Sequence, residues 1–180
     1  MVAPGAEHLL GDDGGTVVAS LRTNLSNAPE IVAKAVAGEF DRFVFLSPHL
    51  LCDRFNLSVA LLRVFNSRRD GKMTARTVGT ELYCALAATK SIRSAIKEFQ
   101  LRPSSSQVCV IGFNPSPCDL ADVDTLLASS EAIALDRLPE FFDLPSAAKI
   151  FKLSKHELDQ TKEDIFSSIG NRIAIGEALL

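Results

Sequence analysis

Apolar residues follow two different periods along the chain, which predicts strands mixed with amphipathic helices. Short apolar runs bounded by turn residues predict strands at 16–21, 81–87, 107–113 and 131–135, and 43–48 fits either a short strand or an extended segment. Between these runs lie segments whose apolar residues recur at helical spacing. The mixture indicates an α+β two-layer sandwich, in which helices pack on a small, mostly antiparallel or mixed sheet and the C-terminus is helical.

Apolar stripes and capping residues predict where the helices lie. Pro29 suits the first turn of one helix, and Gly38 suits its end. A short helix is predicted at 120–129, and Ser154 with Glu157 matches a capping box. The other predicted helices have these apolar stripes: Leu57, Leu61, Leu62 and Phe65; Ile92, Ile96 and Phe99; Leu158, Ile165, Phe166, Ile169 and Ile173.

Length and composition are those of a small globular protein. The chain has 180 residues, 47% hydrophobic and 23% charged, which fits one domain at 16–180 after a flexible lead-in at 1–15. The first residues lack the basic and apolar regions of a signal peptide, so we expect an intracellular, soluble protein. A net charge of −3 means that any nucleic-acid binding must use a local patch.

The sequence contains no recognisable catalytic motif. Gly71-Lys72 is followed by Met73, Asn66 stands where a phosphate-binding loop needs its first glycine, and a predicted helix precedes it. A nucleophile elbow of the G-x-S-x-G type is also missing. We therefore predict no cofactor. An enzyme that uses unpatterned residues such as His49 and Cys52 is an alternative.

The cysteines do not form a metal-binding or disulfide pattern. None of the four belongs to a C-x-x-C pair, and close clusters with histidine are missing. Cys84 and Cys109 lie in apolar runs, where a thiol packs like a small hydrophobic side chain. We predict that all four are structural and that the protein holds no metal: Cys52, Cys84, Cys109 and Cys118.

Basic residues concentrate in one short segment of this acidic chain. Between residues 63 and 76, five cations face one acid, Asp70, which gives a local charge of +4: Arg63, Arg68, Arg69, Lys72 and Arg76. The segment can be a solvated helix end, where Arg68 and Arg69 meet the helix dipole. It can equally be a surface that contacts phosphates.

The last helix has a broad apolar side. That side can pack on the protein's own sheet, or it can be offered to a partner, and one helix can do both with different faces.

Four collinear segments resemble the small kinase-binding subunit of the KEOPS/EKC complex, the TPRKB-like family. They are NLSNAPEIVAKAVAGEFD (24–41), GKMTARTVGTELYCALAATKSIRSAIKEFQL (71–101), LPEFFDLPSAAKIFKLSKHEL (138–158) and IFSSIGNRIAIGEAL (165–179). The second resembles the family pattern K-M-x-[TA]-R-T-x-x-[TS]-E-[IL] and the amphipathic helix after it. Gln100 stands where the family often has glycine. The resemblance covers about residues 16–180.

The resemblance implies a non-catalytic subunit of a tRNA-modification complex in the cytoplasm and nucleus. Members of the family bind the complex's small atypical kinase, which contacts the transferase that attaches threonylcarbamoyl to adenosine in tRNA. Some members also bind tRNA, chiefly its CCA tail. A regulator of the kinase with no RNA role is a further alternative.

The resemblance also gives the basic segment and the last helix expected roles. We expect tRNA contacts from the basic segment and kinase contacts from the last helix. The expected tRNA-binding residues are Arg68, Arg69, Lys72 and Arg76. The expected kinase-binding residues are Ile165, Phe166, Ile169, Arg172 and Ile173.

Overall fold

Strands are interspersed with helices up to residue 133, and the described residues after it form only helices and turns. The computed structural model describes residues 6–12 and 15–176. The strands are β1 Ala6–Asp12, β2 Gly15–Thr23, β3 Phe43–Leu46, β4 Val108–Phe113 and β5 Glu131–Ile133. The α-helices are α1 Ala28–Ala37, α2 Arg54–Arg69, α3 Val78–Leu86, α4 Ile92–Phe99, α5 Pro117–Leu126, α6 Leu144–Ile150, α7 Lys155–Leu158 and α8 Lys162–Ile175. Short 3-10 turns lie at Pro48–Leu50 and Leu135–Glu140.

The chain divides into two compact units. The sheet unit consists of Met1–Pro48 and Gln100–Arg137, and the helical unit consists of His49–Phe99 and Leu138–Leu180. All five strands, α1 and α5 belong to the sheet unit, and the remaining helices belong to the helical unit. The predicted α+β class with a helical C-terminus is confirmed. Across the described residues, no helix is long and apolar enough to cross a membrane.

The sheet is antiparallel throughout and is built around β4. Its order is β1-β2-β4-β3, and β5 pairs with the end of β2 at Leu21–Thr23. Residues Val108–Ile111 of β4 are all buried, because the strand is covered on both faces. This double burial explains why the run reads as continuously apolar rather than alternating.

The core of the sheet unit joins α1 and α5 to one face of the sheet. Pro29 lies in the first turn of α1, and Gly38 ends that helix in the left-handed conformation (φ 78°), as the sequence predicts. Asn27 Nδ2 donates a hydrogen bond to the carbonyl of Leu126 at the end of α5 (2.8 Å). The shared core is made of Leu25, Ala28, Ile31, Phe45, Leu101, Val108, Val110, Val123, Leu126 and Leu127.

The helical unit is organised by the contact between α2 and α8. Asn56 Nδ2 donates to the carbonyl of Phe166 (3.1 Å), and Arg63 Nη1 donates to the carbonyl of Ile173 (3.0 Å). The two helices therefore run in the same direction. Helix α3 packs against α2, α4 and α8. The last helix thus packs on other helices of its own unit.

Two predictions of secondary structure are wrong. Of the predicted strand at 81–87, residues 81–86 form most of α3 instead, because short apolar runs fit a buried helix as well as a buried strand. A strand was not predicted before residue 16, yet β1 pairs with β2 from Ala6↔Ser20 to Asp12↔Gly15. Pairing with a neighbouring strand, more than local pattern, stabilises β1.

Gly170 allows α2 and α8 to approach closely. A Cβ atom at this position would lie 2.3 Å from Asn56 Oδ1, a contact that real side chains do not make. Asn56 is 3% exposed, so it has little room to move. The glycine is therefore required by packing, although its φ is that of an ordinary helix.

We predict that Gly170→Ala destabilises the protein by about 1–3 kcal/mol because it overpacks this contact. In a helix interior without such a contact, the same change stabilises by about 0.5–1 kcal/mol. Urea unfolding shows whether the substitution lowers or raises the free energy of unfolding. Asn171→Ala, at an exposed position of the same helix, is the matched control. An unchanged or raised unfolding midpoint for Gly170→Ala would contradict the packing argument.

Candidate nucleic-acid and partner surfaces

The predicted RNA-contacting residues lie together at the end of α2 and in the loop that follows. Arg68 and Arg69 occupy the last turn of α2, and Lys72 and Arg76 lie in the loop before α3. All four side chains are exposed. We call residues 68–76 the basic loop. The ion pair between Arg69 and Asp70 (3.5 Å) is solvated and contributes little to stability.

Hydrogen bonds hold the backbone of the basic loop. Lys72 N donates to the Ser67 carbonyl (2.8 Å), and Gly71 adopts a left-handed φ of 66° in open space. Ala75 N donates to Glu81 Oε2 (2.7 Å), a carboxylate that belongs to α3 and is 7% exposed as a residue. The loop therefore has a fixed backbone and solvated cationic ends.

Sequence reasoning missed the role of Glu81. An acid that begins an otherwise apolar run is the signal that could have found it, because a buried carboxylate needs a hydrogen-bond donor. Thr77 completes the turn, since its side chain accepts from Thr80 N and caps α3.

Arg63 does not belong to the basic loop. It is partly buried and donates to the carbonyl of Ile173, near the C-terminus of α8. A cation there offsets the negative end of the helix dipole. The exposed cations then number four against Asp70, a local charge of +3 rather than +4.

The apolar stripe of α8 is covered by the protein itself. The expected kinase-binding residues Ile165, Phe166, Ile169 and Ile173 are between 0% and 8% exposed. Arg172 forms a two-pronged ion pair with Glu157 of α7, at 2.8 Å from Nη1 to Oε1 and 3.2 Å from Nη2 to Oε2. These five side chains therefore help to build the helical unit, and their expected role in binding the kinase stays a prediction.

A different apolar surface is exposed on the same pair of helices. Phe55 and Leu62 of α2 are 72% and 50% exposed, and their spacing of seven residues places them on one face. Ile175, 57% exposed, is the last residue of α8, beside the point where Arg63 reaches that helix. We call these three residues the α2–α8 surface. Leu62 was predicted to belong to the buried stripe and does not.

The thiols of the helical unit are poor nucleophiles. Cys52, which the enzyme alternative would use, is 1% exposed, and burial raises its pKa far above the ordinary value. Within the described part of the chain, no group of three or more His, Cys, Asp and Glu residues could hold a metal ion. In the sheet unit, burial raises the pKa of Cys109 to about 12, and Cys118 is exposed.

Comparison with known proteins gives one consistent family. The family model described as "Kinase binding protein CGI-121" matches residues 22–177. The EKC/KEOPS complex subunit TPRKB of Danio rerio is 24% identical over 79% of this chain and 81% of that protein. The EKC/KEOPS complex subunit cgi121 of Schizosaccharomyces pombe is 23% identical over 83% of this chain and 88% of that protein. The subunit of the same name from Aspergillus fumigatus is 23% identical over 74% and 75%.

The Glu157–Arg172 pair makes stability depend on acidic pH. The Arg172 guanidinium, followed by the Ser154 backbone amide, lowers the pKa of Glu157 from 4.5 to about 2. Because the folded pKa is lowered, the stabilisation is complete above about pH 4.5 and is lost as the pH falls towards 2. We predict that Glu157→Gln flattens the decline in stability between pH 5 and pH 2.5.

Urea unfolding at several pH values measures this effect. Glu163→Gln removes an exposed carboxylate from α8 and is the matched control. We expect the free energy of unfolding of the control to fall with pH as steeply as that of the unmodified protein. Equal slopes of the free energy of unfolding against pH for Glu157→Gln and the unmodified protein would show that the Glu157–Arg172 pair does not contribute to this pH dependence.

Proposed function

The chain belongs to the CGI-121 family of kinase-binding proteins, and we propose that it is a non-catalytic accessory subunit of a KEOPS/EKC complex. The observation that carries the proposal is the family match over residues 22–177, supported by relatives that are all named as subunits of this complex. Its direct partner is the complex's small atypical kinase. The threonylcarbamoyl transferase is an indirect partner in the same assembly.

The α2–α8 surface is the part of the helical unit best suited to contact the kinase. Large apolar side chains that remain exposed in the free protein release water when a partner covers them. Phe55, 72% exposed, is the aromatic anchor of the surface. The basis for choosing these residues over the α8 stripe is exposure, since buried side chains cannot be contacted without unfolding the helical unit.

We predict that Phe55→Glu combined with Leu62→Glu weakens kinase binding by about thirtyfold or more and leaves the protein folded. Size-exclusion chromatography of the mixed, purified proteins measures co-elution, and circular dichroism checks the fold. Val36→Glu is the matched control, because Val36 is 74% exposed and belongs to the sheet unit.

The possible outcomes distinguish a wrong assignment of the surface from a wrong proposal of the function. Co-elution of the double variant with the kinase would reject the α2–α8 surface alone. Failure of the unmodified chain to co-elute with the kinase would reject the proposed function. Ile169→Glu, in contrast, should unfold the protein, because it places a charge at a site with 0% exposure.

We also propose that the basic loop helps to recruit tRNA to the complex. The helical unit has 14 Lys and Arg residues against 11 Asp and Glu, a net charge of +3. The sheet unit has 5 against 11, a net charge of −6. The positive charge is thus concentrated in the unit that contains the basic loop. The cationic side chains of the loop are exposed, and hydrogen bonds order its backbone, which suits phosphate contacts.

We predict that Lys72→Ala combined with Arg76→Ala weakens tRNA binding at low salt and lowers the slope of log K against log salt by about two. Arg102→Ala with Lys155→Ala removes the same charge from exposed positions outside the loop and should leave that slope close to its original value. Kinase co-elution should be unchanged in both double variants. Equal salt slopes for all three proteins would favour a kinase regulator that has no RNA role.

A further inference from the structure

The carboxylate that holds the basic loop is itself buried. Ala75 N donates to Glu81 Oε2 at 2.7 Å, a distance typical of a charge-assisted hydrogen bond, and both residues are 7% exposed. Glu81 belongs to α3, six residues further along the chain, and its own amide donates to the Thr77 carbonyl at 2.9 Å. The backbone of Glu81 is thus part of the helix, while its side chain reaches back to the loop.

This hydrogen bond lies among the exposed cations of the loop. Lys72 precedes Ala75 by three residues, and Arg76 follows it directly. Ala75 is buried, whereas Thr74 and Arg76 on either side of it are exposed. The bond to Glu81 therefore fixes the backbone at the point where the loop turns inward between two residues that face solvent.

A carboxylate is an unfavourable neighbour for a surface that binds phosphate. The four exposed cations of the loop face Asp70, a local charge of +3, and counting Glu81 as well lowers it to +2. Charge alone would therefore make Glu81 weaken the binding of RNA. Any favourable contribution must come from the geometry of the loop, since groups that are ordered before binding lose less conformational entropy when they bind.

We propose that Glu81 is a positioning residue for RNA: its carboxylate orders the basic loop so that Lys72 and Arg76 contact phosphates, and it does not contact RNA itself. The inference rests on the recruitment of tRNA proposed above. Exposure of only 7% keeps Glu81 away from a bound strand. The same burial shields its hydrogen bond from water, which would compete for the Ala75 amide at an exposed site.

Two substitutions separate the position of the carboxylate from its charge. Glu81→Gln keeps the length of the side chain and an oxygen that can accept from Ala75 N, but it removes the charge. Glu81→Asp keeps the charge, but it is one methylene shorter, so its oxygens lie further from Ala75 N. If Glu81 acted through its charge alone, Glu81→Gln would bind RNA more tightly and Glu81→Asp would be unchanged.

Titration of the full-length protein with an unmodified tRNA transcript, at several salt concentrations, tests the proposal. We expect Glu81→Asp to weaken binding by about fivefold or more and to lower the slope of log K against log salt by about one, because a less ordered loop makes fewer phosphate contacts. Glu81→Gln should bind at least as tightly as the unmodified protein, with the same slope. Urea unfolding and co-elution with the kinase check that both variants are folded.

Hydrogen exchange of the Ala75 amide reports the order of the loop without RNA. It should be faster in Glu81→Asp than in the unmodified protein and nearly unchanged in Glu81→Gln. An affinity of Glu81→Asp for tRNA within twofold of the original would overturn the proposal, whatever the exchange rate. Weaker binding by Glu81→Gln would also overturn it. Failure of the unmodified protein to bind tRNA would instead reject the proposed recruitment of tRNA, and the role of Glu81 with it.

Discussion

The contact between α2 and α8 is the constraint on which both candidate surfaces depend. Gly170 lets Asn56 approach the backbone of α8, and Asn56 Nδ2 is held by the carbonyl of Phe166 at 3.1 Å. The other amide atom, Asn56 Oδ1, is buried without a hydrogen-bond partner, so the contact tolerates little change. Because α2 is fixed in this way, the exposed Phe55 and Leu62 on its outer face and the basic loop at its end are fixed with it.

The structure separates cations that stabilise the fold from cations that remain exposed. Arg63 and Arg172 lie on the helices that pack together, and each is held by an acceptor within the helical unit. Arg68, Lys72 and Arg76 are exposed, and the backbone around them is held instead by Glu81, through the amide of Ala75. The structure thus presents exposed charge on an ordered loop, while the thiols of Cys52 and Cys84 in the same unit are buried.

The candidate surfaces were only partly predictable from the sequence. The basic loop was predicted by local charge density alone, since loop residues without an apolar pattern are exposed almost by default. The α8 stripe could not be assigned in the same way, because an apolar stripe looks identical whether the protein's own helices or a partner cover it. Leu62 shows the converse: it fits a helical stripe in the sequence, but the packing of α2 leaves it half exposed.

By itself, the sequence determined the features that arise from local chemistry. Pro29 and Gly38 set the limits of α1, the β-branched run formed β4, the capping box of Ser154 and Glu157 started α7, and the charges of residues 68–76 formed a patch. Tertiary structure alone decided that residues 81–86 are helical, that β1 joins the sheet, and which face of α2 and α8 is exposed. The physical reason is that short apolar runs and amphipathic faces gain free energy from whichever surface covers them. Their partners lie far away in the sequence, so local pattern does not specify them.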